Sequence, residues 1–444
     1  MSTEIHPDPR KDEIDYSVYA PDAKDPQNFY DLPKHIAFCT KCGISNQRPN
    51  SSIEHQHTKQ SVKKTIAFDE AGVCDACRVA EQKKAGAIDW DLRRKELSEL
   101  CDRYRSKDGS YDCLVPGSGG KDSFYQSWML KYEFGMNPLT VTWAPHIYTN
   151  WGWRNFNSWI HSGFDNYLVT PNGREKRLIT RLAVENLFHP FQPFIFGQKS
   201  LAPKIAAQMG IPLIFYGENE AEYGNPIADN TSAKRDYAYF STTNESEIFL
   251  GGTSITELKE DYGFSNTDLS IYKPADPERL LKAGVEVHYL GYYLKWHPQA
   301  AYYFAVENGG FEASPERTPG TYSKYISIDD RIDDLHYYTT YIKFGIGRAT
   351  YDASQEVRSG DLEREEAVAL IQRYDGEFPE RFSDELMEYL SLPKTHFPKA
   401  SEMFESPIMD REYFYALSNR FRSPHLWLHE NGEWRLRNTV FSKE

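Results

Sequence analysis

The stretch Cys113-Leu114-Val115-Pro116-Gly117-Ser118-Gly119-Gly120-Lys121-Asp122-Ser123 decides how this chain is to be read. Its first three residues are apolar and suited to a strand. The glycine-rich run then leads into a helical stretch at about 122–132, so the segment reads as strand, tight turn and helix. Glycines let a ligand approach the backbone closely, and the free amides of a helix N-terminus point at an anion, which makes phosphate the natural guest. Two commoner phosphate loops are excluded. A Walker A loop needs a Gly five residues before its Gly-Lys and Ser or Thr after the Lys, where this chain has Val115 and Asp122. A dinucleotide fingerprint starting at Gly117 needs Gly or Ala at position 122, which is again Asp. What is left is a Ser-Gly-Gly-Lys-Asp-Ser phosphate loop or a glycine-rich turn with no ligand.

Outward from this loop, short β-rich runs alternate with helical stretches. The strands are expected at Cys113-Leu114-Val115, Leu139-Thr140-Val141-Thr142-Trp143, Tyr167-Leu168-Val169 and Pro212-Leu213-Ile214-Phe215-Tyr216, with helices at about 122–132, 152–162, 174–188 and 197–209. That alternation is the signature of parallel βαβ units, and the predicted class is α/β: a parallel sheet with helices on both faces. Four regions are expected: an extended arm or mobile tail over 1–35, a cysteine-bearing segment and helix over 36–105, the α/β domain over 106–225, and a mixed helical region over 226–444 that lines the substrate site. Within the last region, helices are expected at about 330–344 and 364–374. The polar run Asn50 to Ser61 reads as an exposed loop or hairpin tip.

Composition narrows the function. The 444 residues carry 51 Lys and Arg against 65 Asp and Glu, a net charge of −14, which disfavours the long phosphate-backbone contacts of a nucleic-acid binder. No apolar run approaches the roughly 18 residues that cross a bilayer. The opening Met1-Ser2-Thr3-Glu4-Ile5-His6-Pro7-Asp8-Pro9 has no basic and apolar leader, so the expected location is the cytoplasm. In a reducing compartment clustered cysteines are metal ligands more often than disulfides. Cys39-Thr40-Lys41-Cys42 and Cys74-Asp75-Ala76-Cys77 form two CxxC knuckles, and four thiolates of that kind make a soft, closed set suited to structural zinc. The alternatives are four unrelated reduced thiols or a redox pair. Cys101 and Cys113 read as small buried residues.

The run Ser118-Gly119-Gly120-Lys121-Asp122-Ser123 resembles the PP-loop of the ATP pyrophosphatase superfamily. With the two knuckles, Ser45-Asn46-Gln47-Arg48-Pro49, Phe68-Asp69-Glu70-Ala71-Gly72-Val73, Gly217-Glu218-Asn219-Glu220, Leu294-Lys295-Trp296-His297-Pro298, Lys343-Phe344-Gly345-Ile346-Gly347-Arg348-Ala349-Thr350 and Arg422-Ser423-Pro424-His425, the chain resembles the N-acetyl sugar amidotransferases over about residues 36 to 440. The arm and the polar insertion at about 50–64 lie outside the shorter members' pattern.

The resemblance implies a PP-loop α/β fold that binds ATP, Mg²⁺ and structural Zn²⁺ and converts an acetamido group of a sugar to acetamidino. The pathways implied are those of surface polysaccharide or of nonulosonic (pseudaminic or legionaminic) acids. An amide oxygen is a poor leaving group, so ATP would convert it to an adenylyl imidate, releasing pyrophosphate. Ammonia then displaces AMP. The ammonia is implied to come from a separate glutaminase with a cyclase-like partner subunit. Ser118, Gly119, Gly120 and Ser123 would cradle the β- and γ-phosphates, Lys121 adds a movable charge, and Asp122 holds Mg²⁺ through water. Trp143 and Ala144 stand where the superfamily places adenine, although a Trp there also suits a core. Gly217 and Glu218 end the last strand at the ligand-binding edge of the sheet. Lys343 and Arg348 flank a glycine-rich helix end and are expected either to clamp the departing pyrophosphate or to be ordinary surface cations.

The aromatic groups Trp151-Gly152-Trp153 and Tyr292-Tyr293-Leu294-Lys295-Trp296 suit a core first and a sugar face second. His161, His189, His297 and His336 read as structural or surface histidines, with His297 singled out only by the motif around it. Two other functions fit parts of the pattern: a PP-loop tRNA-modifying enzyme of the thiolase type, which needs a catalytic cysteine pair and a basic surface, and a non-catalytic, zinc-stabilised nucleotide-binding scaffold.

Overall fold

The computed structural model describes residues 7–226, 232–392 and 408–442. Residues 1–6 of the expected arm, and 227–231, 393–407 and 443–444 of the expected C-terminal region, lie outside the described residues. Helices α1 (Asp75–Lys84) and α2 (Trp90–Tyr104) precede the alternating unit. That unit is β1 (Cys113–Pro116), α3 (Lys121–Trp128), β2 (Pro138–Trp143), α4 (Asn150–His161), β3 (Asn166–Val169), α5 (Gly173–Leu187), α6 (Gln192–Met209) and β4 (Leu213–Tyr216). A fifth strand, β5 (Glu286–Tyr289), pairs with β4, and the order β3-β2-β1-β4-β5 is parallel throughout. This strand is a correction to the expected end of the α/β unit near 225. A four-residue strand, Glu-Val-His-Tyr, far from the alternation leaves no periodic signal.

Strands β1 and β4 are apolar on both sides because helices cover both faces, whereas β2 turns Thr140 and Thr142 to Asn166 of the edge strand β3. Leu114 of β1 and Ile214 of β4 pack with Leu178, Ile179 and Leu182 of α5 and with Phe194 and Phe196 of α6. Their neighbours Cys113, Val115, Leu213 and Phe215 turn to the other face, against Leu97, Leu100 and Cys101 of α2. Gly210, at φ 71°, caps α6 in the left-handed conformation that glycine adopts without strain. The connections run outward from β1 in both directions, so β1 and β4 flank a point where the strand order reverses. Ligands of open α/β sheets bind at the carboxyl ends of such a pair.

The C-terminal region comprises α7 (Pro298–Gly309), α8 (Ile332–Phe344), α9 (Arg348–Ser359), α10 (Arg364–Tyr374), α11 (Ser383–Ser391), α12 (Arg411–Asn419) and a hairpin of β6 (Trp427–Glu430) and β7 (Glu433–Leu436). Its core is shared with the other end of the chain: Cys39, Cys42, Ile44, Cys74 and Cys77 pack with Leu335 and Ile342 of α8 and with Phe414 of α12. The cysteine segment therefore sits chiefly on the C-terminal helices. It also reaches the α/β unit, through α1 against residues 220–223 just past β4 and through Glu54–Gln56 against α6.

Two readings from the sequence are revised here. From Pro7 onward the arm is fastened down rather than loose: the Tyr19 hydroxyl donates to the Arg422 carbonyl at 2.9 Å, and Ser423 Oγ accepts from the Phe29 amide at 2.8 Å. The polar insertion is likewise no exposed tip. Glu54, His55 and His57 are buried, His55 to 1% exposure, and Gln192 Nε2 donates to the Glu54 carbonyl at 2.9 Å. Polar composition points outward only where the fold offers no internal partners; here it offers them.

Candidate active site

The loop between β1 and α3 holds its shape through packing that glycine alone permits at two positions. A Cβ on Gly117 would fall 2.4 Å from Ser123 Oγ, and one on Gly119, at φ 87°, would fall 2.5 Å from the Phe156 backbone. Gly120 is different. Its φ of −67° suits any residue, and the nearest atom to an added Cβ is 3.9 Å away. No packing requires a glycine at 120, so the reason for one lies on the open side, where a ligand would approach the backbone. Gly120 starts α3 with no side-chain cap, which leaves the first amides of the helix available to an anion.

These features give a prediction that separates fold from binding. Gly119→Ala is expected to destabilise the protein by roughly 3 kcal/mol through strain and overlap. Gly120→Ala should keep the wild-type melting temperature and lose ATP affinity in a calorimetric titration. Wild-type affinity in Gly120→Ala would mean that the loop cradles no phosphate.

Ser118, Gly119, Gly120, Lys121, Asp122 and Ser123 line one cavity of about 440 Å³, and Glu218, just past β4, joins them. Lys121 Nζ bonds Asp122 Oδ2 at 2.5 Å, while Asp122 Oδ1 is buried without a partner. Glu218 accepts a hydrogen bond from the Tyr223 hydroxyl. Burial, reinforced by the nearby Asp122 charge, pushes the Glu218 carboxyl up to about 7. Two carboxyls from the opposite wall, Asp329 and Asp352, are also pushed up, chiefly by burial. Among the described residues no three carboxylates converge on a point; the four knuckle cysteines are the group that does.

Other residues expected at the site lie elsewhere. Trp143 is core: it packs edge-on to Tyr272 and against Gly197, where a Cβ would overlap its ring. The Ala144 carbonyl is taken by Lys176 Nζ at 2.7 Å. Gly217 abuts the Trp296 ring and accepts at its carbonyl from the Gly291 amide at 2.8 Å, leaving Glu218 as the member of the pair that reaches the cavity. Neither Lys343 nor Arg348 lines the loop cavity, and neither is a surface cation. Lys343, 3% exposed, donates to the Leu187 carbonyl at 2.6 Å. Arg348, 1% exposed, lies behind the wall and donates to the Ser327 carbonyl at 3.1 Å, bracing backbone that does line the cavity.

His297 is a helix cap, its Nδ1 accepting from the Ala300 amide at 3.2 Å at the start of α7. Trp296 and Tyr293 are buried, and Trp153 stacks on Phe156. The cavity instead takes Arg48, Asp329, Asp352 and Arg358. Arg48 comes from the segment before the loop, within Ser45-Asn46-Gln47-Arg48-Pro49, whereas Asp329, Asp352 and Arg358 have no local signal, because they lie more than 200 residues beyond the loop, before and within α8 and α9.

The cysteines meet as the spacing predicts. Cys39 Sγ lies 3.8 Å from Cys77 Sγ and Cys42 Sγ 3.7 Å from Cys74 Sγ, and all four sulfurs fall within 4.8 Å of one another. A tetrahedral zinc with Zn–S bonds of about 2.3 Å has sulfur–sulfur edges of about 3.8 Å, so the donor set fits that ion. The Lys41 and Cys74 amides both point at Cys39 Sγ from 3.4 Å, as donors to a metal-bound thiolate do. Arg358 ties the cluster to the cavity: its Nη1 is 3.7 Å from Cys42 Sγ, and it also lines the loop cavity.

Residues 319–440 match a protein-family model described as "LPS biosynthesis protein WbpG-like, C-terminal domain". This associates the chain with surface polysaccharide biosynthesis. A stretch of 85 residues is 31% identical to the uncharacterized protein MJ1599 of Methanocaldococcus jannaschii, covering 19% of this chain and 29% of that protein. Among the described residues no helix is long and apolar enough to cross a membrane.

Proposed function

We propose that this chain is an ATP-dependent amidotransferase of sugar biosynthesis that replaces the oxygen of an acetamido group with NH, giving an acetamidino sugar, AMP and pyrophosphate. The observation that carries this reading is the meeting of two stretches in one cavity. The phosphate-type loop 118–123 forms one side, and Tyr325, Tyr337, Asp352 and Arg358, all within the stretch similar to lipopolysaccharide-biosynthesis proteins, form the other. ATP, when bound, supplies the adenylyl group that turns the amide oxygen into a leaving group. The α3 amides and Lys121 would hold its phosphates. Arg48 and Arg358 add positive charge on the facing wall.

Glu218, at about 7, is poised to take a proton near neutral pH. Forming the imidate releases the amide proton, and adding ammonia releases another, so a carboxylate at this point has work in both steps. Asp122 would orient Mg²⁺ through water, and the zinc cluster would be structural, since all four of its positions are filled by sulfur. Ammonia would come from a separate glutaminase with a cyclase-like subunit, because no cysteine lines the cavity and none is placed as a glutaminase nucleophile.

The same absence counts against a thiolase, which needs a reactive thiol beside the adenylated atom. Cys101 and Cys113 lie buried against the sheet, away from the loop cavity. The test is release of AMP and pyrophosphate from ATP with excess ammonium and a panel of N-acetyl sugars, with products read by mass. A sugar that gains NH in place of O, with one AMP formed per product, is the expected result. AMP without a modified sugar transfers the reading to another acceptor. No AMP under any condition, with both partner subunits added, leaves a nucleotide-binding scaffold.

A further inference from the structure

A second cavity of about 260 Å³ adjoins the loop cavity, and Arg48, His336, Thr340 and Tyr351 belong to the walls of both. Its charged lining is Arg48, Lys63 and Lys343 against the single carboxylate Glu54. Glu54 is already engaged by Lys199 at 3.4 Å. None of the three cations is paired with a carboxylate among the described residues. Elsewhere some cations with little exposure are paired with a carboxylate, Arg181 with Glu185 at 2.8 Å, Arg381 with Asp334 at 2.9 Å and Lys83 with Glu222 at 2.9 Å, and others, such as Lys176 on the Ala144 and Pro145 carbonyls, stand singly on backbone; here three gather around one space. In a chain of net charge −14, three unpaired cations around one enclosed space stand out.

The same space gathers buried polar atoms with no partner. Nδ1 of His57, 6% exposed, makes no hydrogen bond and lies 4.0 Å from Glu54 Oε2, and Nδ1 of His189 and of His336, whose rings stack at 4.8 Å, is likewise without a hydrogen bond. A cation taken from water without a counter-charge is costly, and a ligand that brings the charge offsets that cost.

We propose that this second cavity is an anion-binding subsite, taking a carboxylate or phosphoryl group on Lys343, Lys63 and Arg48. Because the two cavities share Arg48, His336, Thr340 and Tyr351, one acceptor molecule reaching past these side chains would place its acidic group here and its acetamido group beside the loop. That assignment to the acceptor rests on the function proposed above. The subsite itself rests only on the charge and shape of the cavity. Burial lowers the pKa of Lys343, Lys63 and Arg48, at Lys63 against the opposing charge of Glu54, and an anion would reverse that shift. The polar insertion at 50–64 thus acquires a role, since Asn50, His57 and Lys63 furnish one wall.

The test is calorimetric titration of the full chain with inorganic pyrophosphate, N-acetylneuraminic acid and neutral N-acetylglucosamine, in the wild type and in Lys343→Met, Lys63→Met and Lys121→Met. An acidic probe is expected to bind about tenfold or more tightly than the neutral sugar. Lys343→Met and Lys63→Met should each remove that advantage and leave the affinity for a non-hydrolysable ATP analogue within about twofold. Lys121→Met should do the reverse.

Loss of pyrophosphate but not of the acidic sugar in Lys343→Met would keep the subsite and give it to the leaving group. Equal binding of acidic and neutral probes, or an acidic advantage that depends on Lys121 alone, overturns the proposal. Failure of the ATP analogue to bind the wild type, with Lys343-dependent anion binding intact, would sink the proposed function and leave the subsite standing.

Discussion

Chelating the zinc proposed for the four-cysteine cluster is expected to unfold the N-terminal segment and to take the proposed ATP binding with it. The four thiols are almost fully buried, from 0% exposure at Cys39, Cys42 and Cys74 to 4% at Cys77, within the same apolar cluster as α8 and α12. Structural zinc contributes about 10–16 kcal/mol of binding free energy in small zinc domains, as much as the whole stability of a typical globular domain. Without the ion, four mutually repelling thiolates or four poorly packed thiols stand at the centre of that cluster.

The consequence reaches the active site through α9. Ser354 Oγ donates to the Cys42 carbonyl at 3.0 Å and Arg358 to Cys42 Sγ at 3.7 Å, and α9 carries Asp352 and Arg358 into the loop cavity. Cys74→Ser should therefore lower metal content, melting temperature and ATP affinity together, as read by elemental analysis, calorimetric melting and titration. Cys101→Ala, a buried cysteine outside the cluster, should leave the metal content unchanged. A Cys74→Ser protein with full metal and wild-type melting would remove the cluster from the account.

The parts of this molecule legible in the sequence are those whose physics is local. Strands β1 and β4 show themselves because a strand covered on both faces is a short unbroken apolar run, β2 and β3 through their β-branched and aromatic residues between turn signals, and the loop because Gly117 and Gly119 stand where a side chain has no room. The knuckles are legible because thiolate ligands come in pairs at a fixed spacing. What stayed hidden depends on distant packing. Strand β5 is recognisable only as the neighbour of β4. Asp329 and Asp352 are ordinary charged residues until the fold sets them around one space. Trp143 illustrates the opposite error: it stands at the carboxyl end of β2, where a ligand is expected, but Gly197 on α6 leaves a hollow that its ring fills. The backbone of a position and the direction of its side chain are separate facts, and a motif specifies mainly the first.

Asp122→Ala is expected to lower AMP formation by roughly 10³-fold while the fold stays intact. Its carboxylate lies at the cavity surface with one oxygen on Lys121 Nζ and the other free, so no core contact depends on it. Removing it frees Lys121 from its fixed position and takes away the charge through which Mg²⁺ would be oriented. The change should also be visible without any substrate, through Glu218. In the wild type the Glu218 carboxyl sits at about 7 against an ordinary 4.5, first because it is buried and second because Asp122 is nearby. A carboxyl whose pKa is raised by folding keeps its proton in the native state where the unfolded chain has lost it. Its contribution to stability is therefore greatest below about pH 4.5 and declines as pH rises to about 7.

Asp122→Ala removes the second cause and leaves the first, so the upper end of that decline should move to lower pH, and Glu218→Gln should abolish it. Melting temperatures from about pH 5 to 8 for the wild type and both variants decide the point. If the wild type and Glu218→Gln trace parallel curves, Glu218 does not hold a proton near neutrality and is not the base of this site. If Asp122→Ala forms AMP at the wild-type rate, the loop has a different task from the one proposed.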